Sequence, residues 1–95
     1  MIYQIVVEQE ALQDLVNIKT YIIQQDTLNK ANQFISELKN IIKTLNKMPQ
    51  RCRKSYYTND KNTHDLIYKK YTIVFKIIET KIHILTISNK ENIDY

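Results

Sequence analysis

The fold is decided by residues 11–22, ALQDLVNIKTYI, in which apolar side chains recur at steps of four, three and four residues. That series is Ala11, Leu15, Ile18 and Ile22, and it is widened by Leu12 and Ile23. Because an α-helix has about 3.6 residues per turn, this spacing places the apolar groups on one face. The sequence from about residue 8 therefore predicts an amphipathic helix of about four turns.

A second apolar stripe follows and consists of Ala31, Phe34, Ile35, Leu38, Ile41, Ile42 and Leu45. This second helix must end near residues 47–48, because Pro49 disfavours helix in the residue before it. The side-chain oxygens of Asp26 and Thr27 can end the first helix and cap the second. The short connection predicts an antiparallel hairpin that presents both stripes to one sheet, with Tyr21 and Phe34 in the core.

Strand patterns flank this helical pair. Residues 2–7 are β-branched and aromatic, and residues 51–58 are basic and aromatic and fit an edge strand. After a turn at 59–62, three apolar runs separated by turn signals at 69–70 and 79–80 occupy residues 64–69, 71–78 and 81–88.

These patterns predict one α+β domain that spans residues 1–95. Its order is a strand, a two-helix antiparallel hairpin and three antiparallel strands, with the hairpin packed on one face of the sheet. The other face is expected to be a partly apolar surface with a basic rim that is available to a partner.

Composition excludes several classes of protein. The chain contains no glycine, which excludes Gly-rich phosphate loops, dinucleotide fingerprints and nucleophile elbows and leaves Asn and Asp to form the turns. Cys52 is the only cysteine, so an internal disulfide and a cysteine zinc site are excluded. There is neither an apolar run of about 20 residues nor a signal-peptide pattern. We expect a cytoplasmic protein without membrane contact, cofactor or metal.

Positive charge is concentrated in the middle third of the chain. Residues 43–76 contain nine Lys and Arg against two acids, and the whole net charge of +4 comes from this stretch. Such clustering predicts an anionic partner, either a nucleic acid or an acidic protein segment, although Lys69 and Lys70 fit a solvated hairpin turn equally well. Together with the last strand, this stretch supplies the candidate binding residues Arg51, Arg53, Lys54, Tyr56, Tyr57, Lys69, Lys70, Leu85 and Ile87.

Few side chains are candidates for acid–base or nucleophilic chemistry. His64 and His83 are the only groups with an ordinary pKa near neutrality; we expect His64 on the surface and a structural role for His83. Asp14 and Glu10 lie four residues apart and fit a solvated helix face. Cys52 lies beside two arginines, which would lower the pKa of its thiol, but no base accompanies it and we interpret it as incidental.

The order of elements, the apolar frame of residues 11–22 and 31–49, and the runs YTIVF at 71–75 and IHILTI at 82–87 resemble the RelE/ParE superfamily of bacterial toxins. The resemblance covers nearly the whole chain. It implies the small toxin of a type II toxin–antitoxin module, of the kind linked to plasmid stabilization, which causes growth arrest and is neutralised by a cognate antitoxin protein.

The superfamily contains two mechanisms, and the residues favour the ParE-like one, inhibition of DNA gyrase. Thr72 stands where Arg is common in the family, and Asp65 stands where a basic residue is common. Residues 89–91 read NKE in place of a His/Arg-rich pair. These departures weaken the interpretation as a nuclease.

Two alternatives stay open. The chain could be a ribosome-dependent mRNA endoribonuclease, with the ribosome and mRNA as partners and with catalytic candidates Arg51, Arg53, Lys90 and Tyr95. It could instead be a non-toxic relative that serves as a binding or regulatory module. The resemblance leaves open whether the chain is an enzyme and whether it forms a homo-oligomer.

Overall fold

The computed structural model describes residues 2–47, 49–55 and 60–89. Within these ranges the elements are β1 (Gln4–Val7), α1 (Gln9–Gln25), α2 (Leu28–Lys43), β2 (Arg53–Lys54), β3 (Thr63–Tyr68), β4 (Tyr71–Ile78) and β5 (Lys81–Asn89), with short 3-10 helices at Thr44–Asn46 and Pro49–Arg51. The sheet order is β1-β5-β4-β3-β2; β1 runs parallel to β5, and all other neighbours are antiparallel. The predicted α+β fold class is confirmed.

The helical hairpin follows from the two stripes and the caps between them. The buried faces consist of Ala11, Leu15 and Ile18 on α1 and Ala31, Leu38 and Ile42 on α2. Thr27 caps α2, because its hydroxyl oxygen accepts a hydrogen bond from the Lys30 amide at 3.2 Å. The Asp26 amide donates to the Ile22 carbonyl at 2.8 Å and ends α1. In the part of the chain that is described, no α-helix is both long and apolar enough to cross a membrane.

The core lies between this hairpin and one face of the sheet. Its largest fully buried apolar side chains are Phe75, Leu38, Leu45, Ile73, Ile82 and Ile84. Burial of each stabilises the fold by about 1.5–3 kcal/mol relative to an exposed side chain. The parallel strand β1 extends this face, since Ile5 pairs with Ile82 and Val7 pairs with Ile84.

A β-bulge changes which residues of β5 face the core. Val74 pairs with Thr86 whereas Phe75 pairs with Ile84, so Leu85 is the extra residue. The alternation therefore shifts by one, and Ile87 joins the core with 3% of its surface exposed. The interpretation of Ile87 as a partner-binding residue is corrected by this burial, whereas Leu85 is only partly buried.

The buried face of α1 is narrower than its sequence predicts. Tyr21 is 55% exposed, and Leu12 and Ile23, which widen the stripe, are 45% and 40% exposed. Leu12 and Ile23 lie about 60–80° around the helix beyond Leu15. Tyr21 lies about 60° beyond Ile18 on the other side, so all three are outside the contact with the sheet. The prediction that Tyr21 lies in the core is wrong, whereas Phe34 does pack against the core, with its ring centroid 5.4 Å from that of Tyr71.

Both hairpin turns occur where the sequence predicts them, but with different residues in the left-handed conformation. Two-residue turns follow Tyr68 and Ile78. Lys69 and Glu79 each have a φ of 54°, the region that tight hairpin turns require and that glycine, Asn or Asp usually fills. The expectation that turns use Asn and Asp is wrong at these two positions.

Candidate functional site

The basic stretch of the sequence does not form one continuous patch. Several of its cations are neutralised within the fold. Arg53 lies 3.6 Å from the carboxylate of Asp65, whose side chain is wholly buried. Lys76 lies 2.8 Å from Asp60. The hydrogen bond from Lys76, followed by that from the Asn62 amide, holds the pKa of Asp60 below its ordinary value.

Lys69 is held by a contact with α2. Its ammonium lies 3.2 Å from the Glu37 carboxylate and 5.4 Å from the centroid of the Phe34 ring. Tyr68 donates a hydrogen bond to the same carboxylate at 3.0 Å. The bonds from Tyr68 and then Lys69 lower the pKa of Glu37, and the Glu37 carboxylate raises the pKa of Lys69. Lys69 therefore anchors the turn between β3 and β4 to the helical layer as well as carrying charge.

The sheet face opposite the helices, here called the open face, carries a groove. Arg53, Asp65, Val74 and Thr86 form one row across its strands. The groove has a volume of about 600 Å³ and is lined by Glu10, Asp60, Thr63, Val74, Lys76, Leu85, Thr86 and Ser88. Two exposed apolar side chains flank the row on the same face: Ile67, 37% exposed, and Ile78, 45% exposed. This surface is mixed, with apolar groups between opposite charges, as protein interfaces commonly are.

The sheet edge beyond β3 carries part of the predicted binding stretch. The two-residue strand β2 confirms an edge strand at Arg53 and Lys54, and Lys54 is exposed in register with His64. Lys70 is exposed in its turn. The remaining candidates, Tyr56, Tyr57, Lys90 and Tyr95, lie outside the described residues.

A second basic surface lies at the end of α2. The Arg51 guanidinium donates to the Thr44 hydroxyl oxygen at 3.2 Å, which holds Arg51 against the helix end. The sequence predicted Arg51 as a candidate binding residue but not Lys39, Lys43 or Lys47. The signal that could have found them is a Lys or Arg at every fourth residue from 39 to 51.

The histidines lie in structural contacts. His64 is 8% exposed, its ring stacks on Phe75 at 5.6 Å, and its Nδ1 lies 3.0 Å from the Cys52 carbonyl. The expectation of a surface position for His64 is therefore wrong. His83 Nδ1 lies 2.7 Å from the Glu8 carboxylate, a contact between β5 and the start of α1.

Cys52 does not have the activated thiol that its arginine neighbours suggest. Burial raises the pKa of the Cys52 thiol, and the nearby Arg51 only partly offsets this. A thiol with a raised pKa is a poor nucleophile at neutral pH. Among the residues described, no three His, Cys, Asp or Glu side chains lie close enough to hold a metal ion.

The architecture is that of chains found in solved toxin–antitoxin systems. One is from the chromosomal ParDE toxin–antitoxin system of P. aeruginosa, with a TM-score of 0.80 and 16% identity over 93% of this chain and 96% of that chain. Another is from the RelBE2 toxin–antitoxin complex of Mycobacterium tuberculosis, with a TM-score of 0.61 and 19% identity over 94% and 99% of the two chains. At these identities the likeness establishes the fold.

Sequence comparison identifies the family. The family model described as ParE toxin of type II toxin–antitoxin system, parDE, matches residues 5–93, and the chain belongs to that family. No curated protein matches the chain significantly.

Proposed function

We propose that this chain is the toxin of a type II toxin–antitoxin module, that it arrests growth by inhibiting DNA gyrase, and that a cognate antitoxin neutralises it. Membership of the ParE toxin family supports the toxin role. The choice of a non-nuclease mechanism rests on the Arg53–Asp65 pair in the open face.

Cleavage of RNA by attack of a 2′-hydroxyl develops negative charge at the phosphate. A nuclease of this fold needs cations aimed at the phosphate as the 2′-hydroxyl attacks. Arg53 instead faces the wholly buried carboxylate of Asp65, and the neighbouring Thr72 is neutral and 1% exposed. Because its guanidinium is held by Asp65, Arg53 is not directed at a phosphate. The open face therefore favours a protein partner over RNA cleavage.

The antitoxin is proposed to be an amphipathic segment with acidic residues that covers the groove of the open face. Its apolar side chains would cover Ile67, Ile78 and Leu85, which leave apolar surface exposed to solvent. Its acidic residues would approach Lys76, which lines the groove. Coupled folding of such a segment on a preformed groove is a common mode of peptide recognition.

The mechanism is tested by inducing the chain alone in a bacterial host while following growth, plasmid supercoiling and the integrity of translated messages. Arrest with altered supercoiling and intact messages is expected, and purified gyrase should lose supercoiling activity when the chain is added. Arrest with messages cut only during translation would overturn the gyrase mechanism in favour of the ribosome-dependent nuclease. Normal growth would indicate the non-toxic relative.

The antitoxin surface is tested separately with two matched variants. Ile67→Lys places a charge beside the groove, whereas Ile23→Lys places it on α1, and the two native residues are 37% and 40% exposed. Co-expression with the product of the adjacent small reading frame should give a stable complex with the Ile23 variant and a weakened one with the Ile67 variant. Equal retention of the antitoxin by both variants would contradict the assignment of the groove.

A further inference from the structure

A line of cations that the proposed function does not use follows α2 and its extension. It consists of Lys39, Lys43, Lys47 and Arg51, here called the basic ridge, and all four residues are exposed. Within the part of the chain that the structure describes, none of the four forms an ion pair with Asp or Glu. This distinguishes them from Arg53, Lys69 and Lys76, which are paired.

The four residues of the basic ridge are regularly spaced, and three of them border one depression. Lys39 and Lys43 are four residues apart on α2, which is about 6 Å along the helix axis. Lys43, Lys47 and Arg51 border a depression of about 410 Å³ whose other lining residues are Thr44 and Asn46. The Thr44 hydroxyl donates to the Ile41 carbonyl at 2.6 Å and accepts from Arg51 at 3.2 Å, which fixes the guanidinium beside the lysines.

Stability of the isolated chain does not account for this arrangement. Like charges at a spacing of four residues repel and destabilise a helix. The helix dipole favours a cation in the last turn, where Lys43 lies, but its influence does not extend to Lys39 or to Arg51 beyond the helix. An anionic partner removes the repulsion among all four.

We propose that the basic ridge binds the phosphate backbone of double-stranded DNA. The spacing of about 6 Å between Lys39 and Lys43 lets both ammonium groups reach phosphates of one DNA strand, which carries one charge per about 3.4 Å of duplex axis. The described residues that line the depression are all polar or charged, so no described aromatic ring there offers the stacking surface that unpaired bases use. Recognition of duplex RNA combines phosphate contacts with contacts to 2′-hydroxyls across the minor groove, and a row of cations alone supplies only the first.

The ridge is also separate from the proposed antitoxin surface. It belongs to the helical layer, whereas the groove lies on the opposite face of the sheet. The inference rests on charge and geometry and is independent of gyrase as the target.

The test measures binding of the full chain to a fluorescent DNA duplex of about 20 base pairs and arbitrary sequence, as a function of salt. The unmodified chain should bind with a log–log salt slope of about three, as three or four neutralised phosphates require. The double variant Lys43→Gln, Lys47→Gln should bind at least about tenfold more weakly at about 50 mM salt, with a slope smaller by about two.

A matched control carries the same loss of charge elsewhere. Lys19→Gln, Lys81→Gln removes two exposed lysines that lie off the ridge, and it should change the affinity less than about twofold. Equal weakening by both variants would show that only net charge matters and would overturn the proposal. Tighter binding of an RNA duplex, or binding of polyglutamate with the same dependence on Lys43 and Lys47, would overturn the choice of DNA. Neither variant should melt at a markedly lower temperature than the unmodified chain, since neither removes an observed contact.

Discussion

The Asp14 carboxylate accepts a hydrogen bond from the backbone amide of Ile87 at 2.9 Å. The contact matters because β1 is short and pairs with β5 only from Lys81 to Ile84. Beyond Ile84 and the bulge at Leu85, the outer edge of β5 has no strand partner in the described sheet. Asp14 on α1 satisfies one of its amides and ties the helix to the strand.

Removing this carboxylate should destabilise the fold. Asp14→Ala leaves the partly buried amide of Ile87 without its acceptor, and an unsatisfied group of this kind costs about 1–3 kcal/mol. Asp14→Asn retains an acceptor oxygen and should cost less. Urea denaturation gives the free energies of unfolding, with Gln24→Ala on the exposed part of α1 as the control. A loss no larger for Asp14→Ala than for the control would mean that water replaces the carboxylate without penalty.

The contact between Glu37 and Lys69 should make stability depend on pH at the acid end. The pKa of Glu37 is lowered from 4.5 by its hydrogen bonds from Tyr68 and Lys69, so the folded state binds fewer protons than the unfolded state near that pH. The stabilisation is therefore present above the ordinary pKa and is lost as pH falls through the lowered one. At the alkaline end, the pKa of Lys69 is raised from 10.5, so the same contact is lost as pH rises through that raised value.

The variant Glu37→Gln tests this coupling. It should lower the melting temperature near neutral pH and flatten the dependence of stability on pH below about 4.5, because the titrating group is gone. Melting temperatures measured from about pH 3 to 7 provide the comparison, and Glu10→Gln is the control since Glu10 is exposed. If the melting temperature of the Glu37 variant falls with decreasing pH as steeply as that of the unmodified chain, other carboxylates cause the pH dependence.

The cost of truncating an apolar helix residue to Ala should depend on whether that residue faces the sheet or the solvent. Leu38 is 0% exposed, and Leu38→Ala should cost about 2–5 kcal/mol because it leaves a cavity. Leu12 is 45% exposed, and Leu12→Ala should stay within about 0.5 kcal/mol of the unmodified chain. Chemical denaturation of the two variants makes the comparison. A large loss of stability in Leu12→Ala would instead indicate that Leu12 is buried, as the sequence of α1 predicts.

The sequence predicted the fold well because helical and strand periodicities are local. The spacing from Ala11 to Ile22, the cap at Thr27 and the helix-stopping Pro49 determine the hairpin without reference to any distant residue. The positions of both hairpin turns were also correct, since charged residues interrupt the apolar runs at Lys69 and Glu79.

The candidate surface was less predictable because it depends on pairing between distant residues. Sequence spacing does not reveal that Arg53 lies against Asp65 or that Lys69 lies against Glu37. A single inserted residue, Leu85, moves Ile87 from the predicted binding face into the core. These contacts separate the paired cations Arg53, Lys69 and Lys76 from the basic ridge, whose members form no ion pair within the described part of the chain.

The two turn residues in the left-handed conformation, Lys69 and Glu79, allow backbone strain to be separated from a side-chain contact. They share one φ value, but of the two only Lys69 has an observed ion pair within the described part of the chain. Glu79 and Lys69 both have a φ of 54°, which costs a residue with a Cβ about 1–2 kcal/mol. Glu79→Gly should relieve this strain and, after the entropy that glycine loses on folding, stabilise the chain by about 0.5–1 kcal/mol. Lys69→Gly gains the same relief but loses the contact with Glu37 at 3.2 Å, so it should stabilise less or destabilise. Urea midpoints distinguish the two variants, and Glu79→Ala, which keeps a Cβ, should give no gain. Equal stabilisation by both glycine variants would show that the contact between Lys69 and Glu37 contributes nothing measurable to the fold.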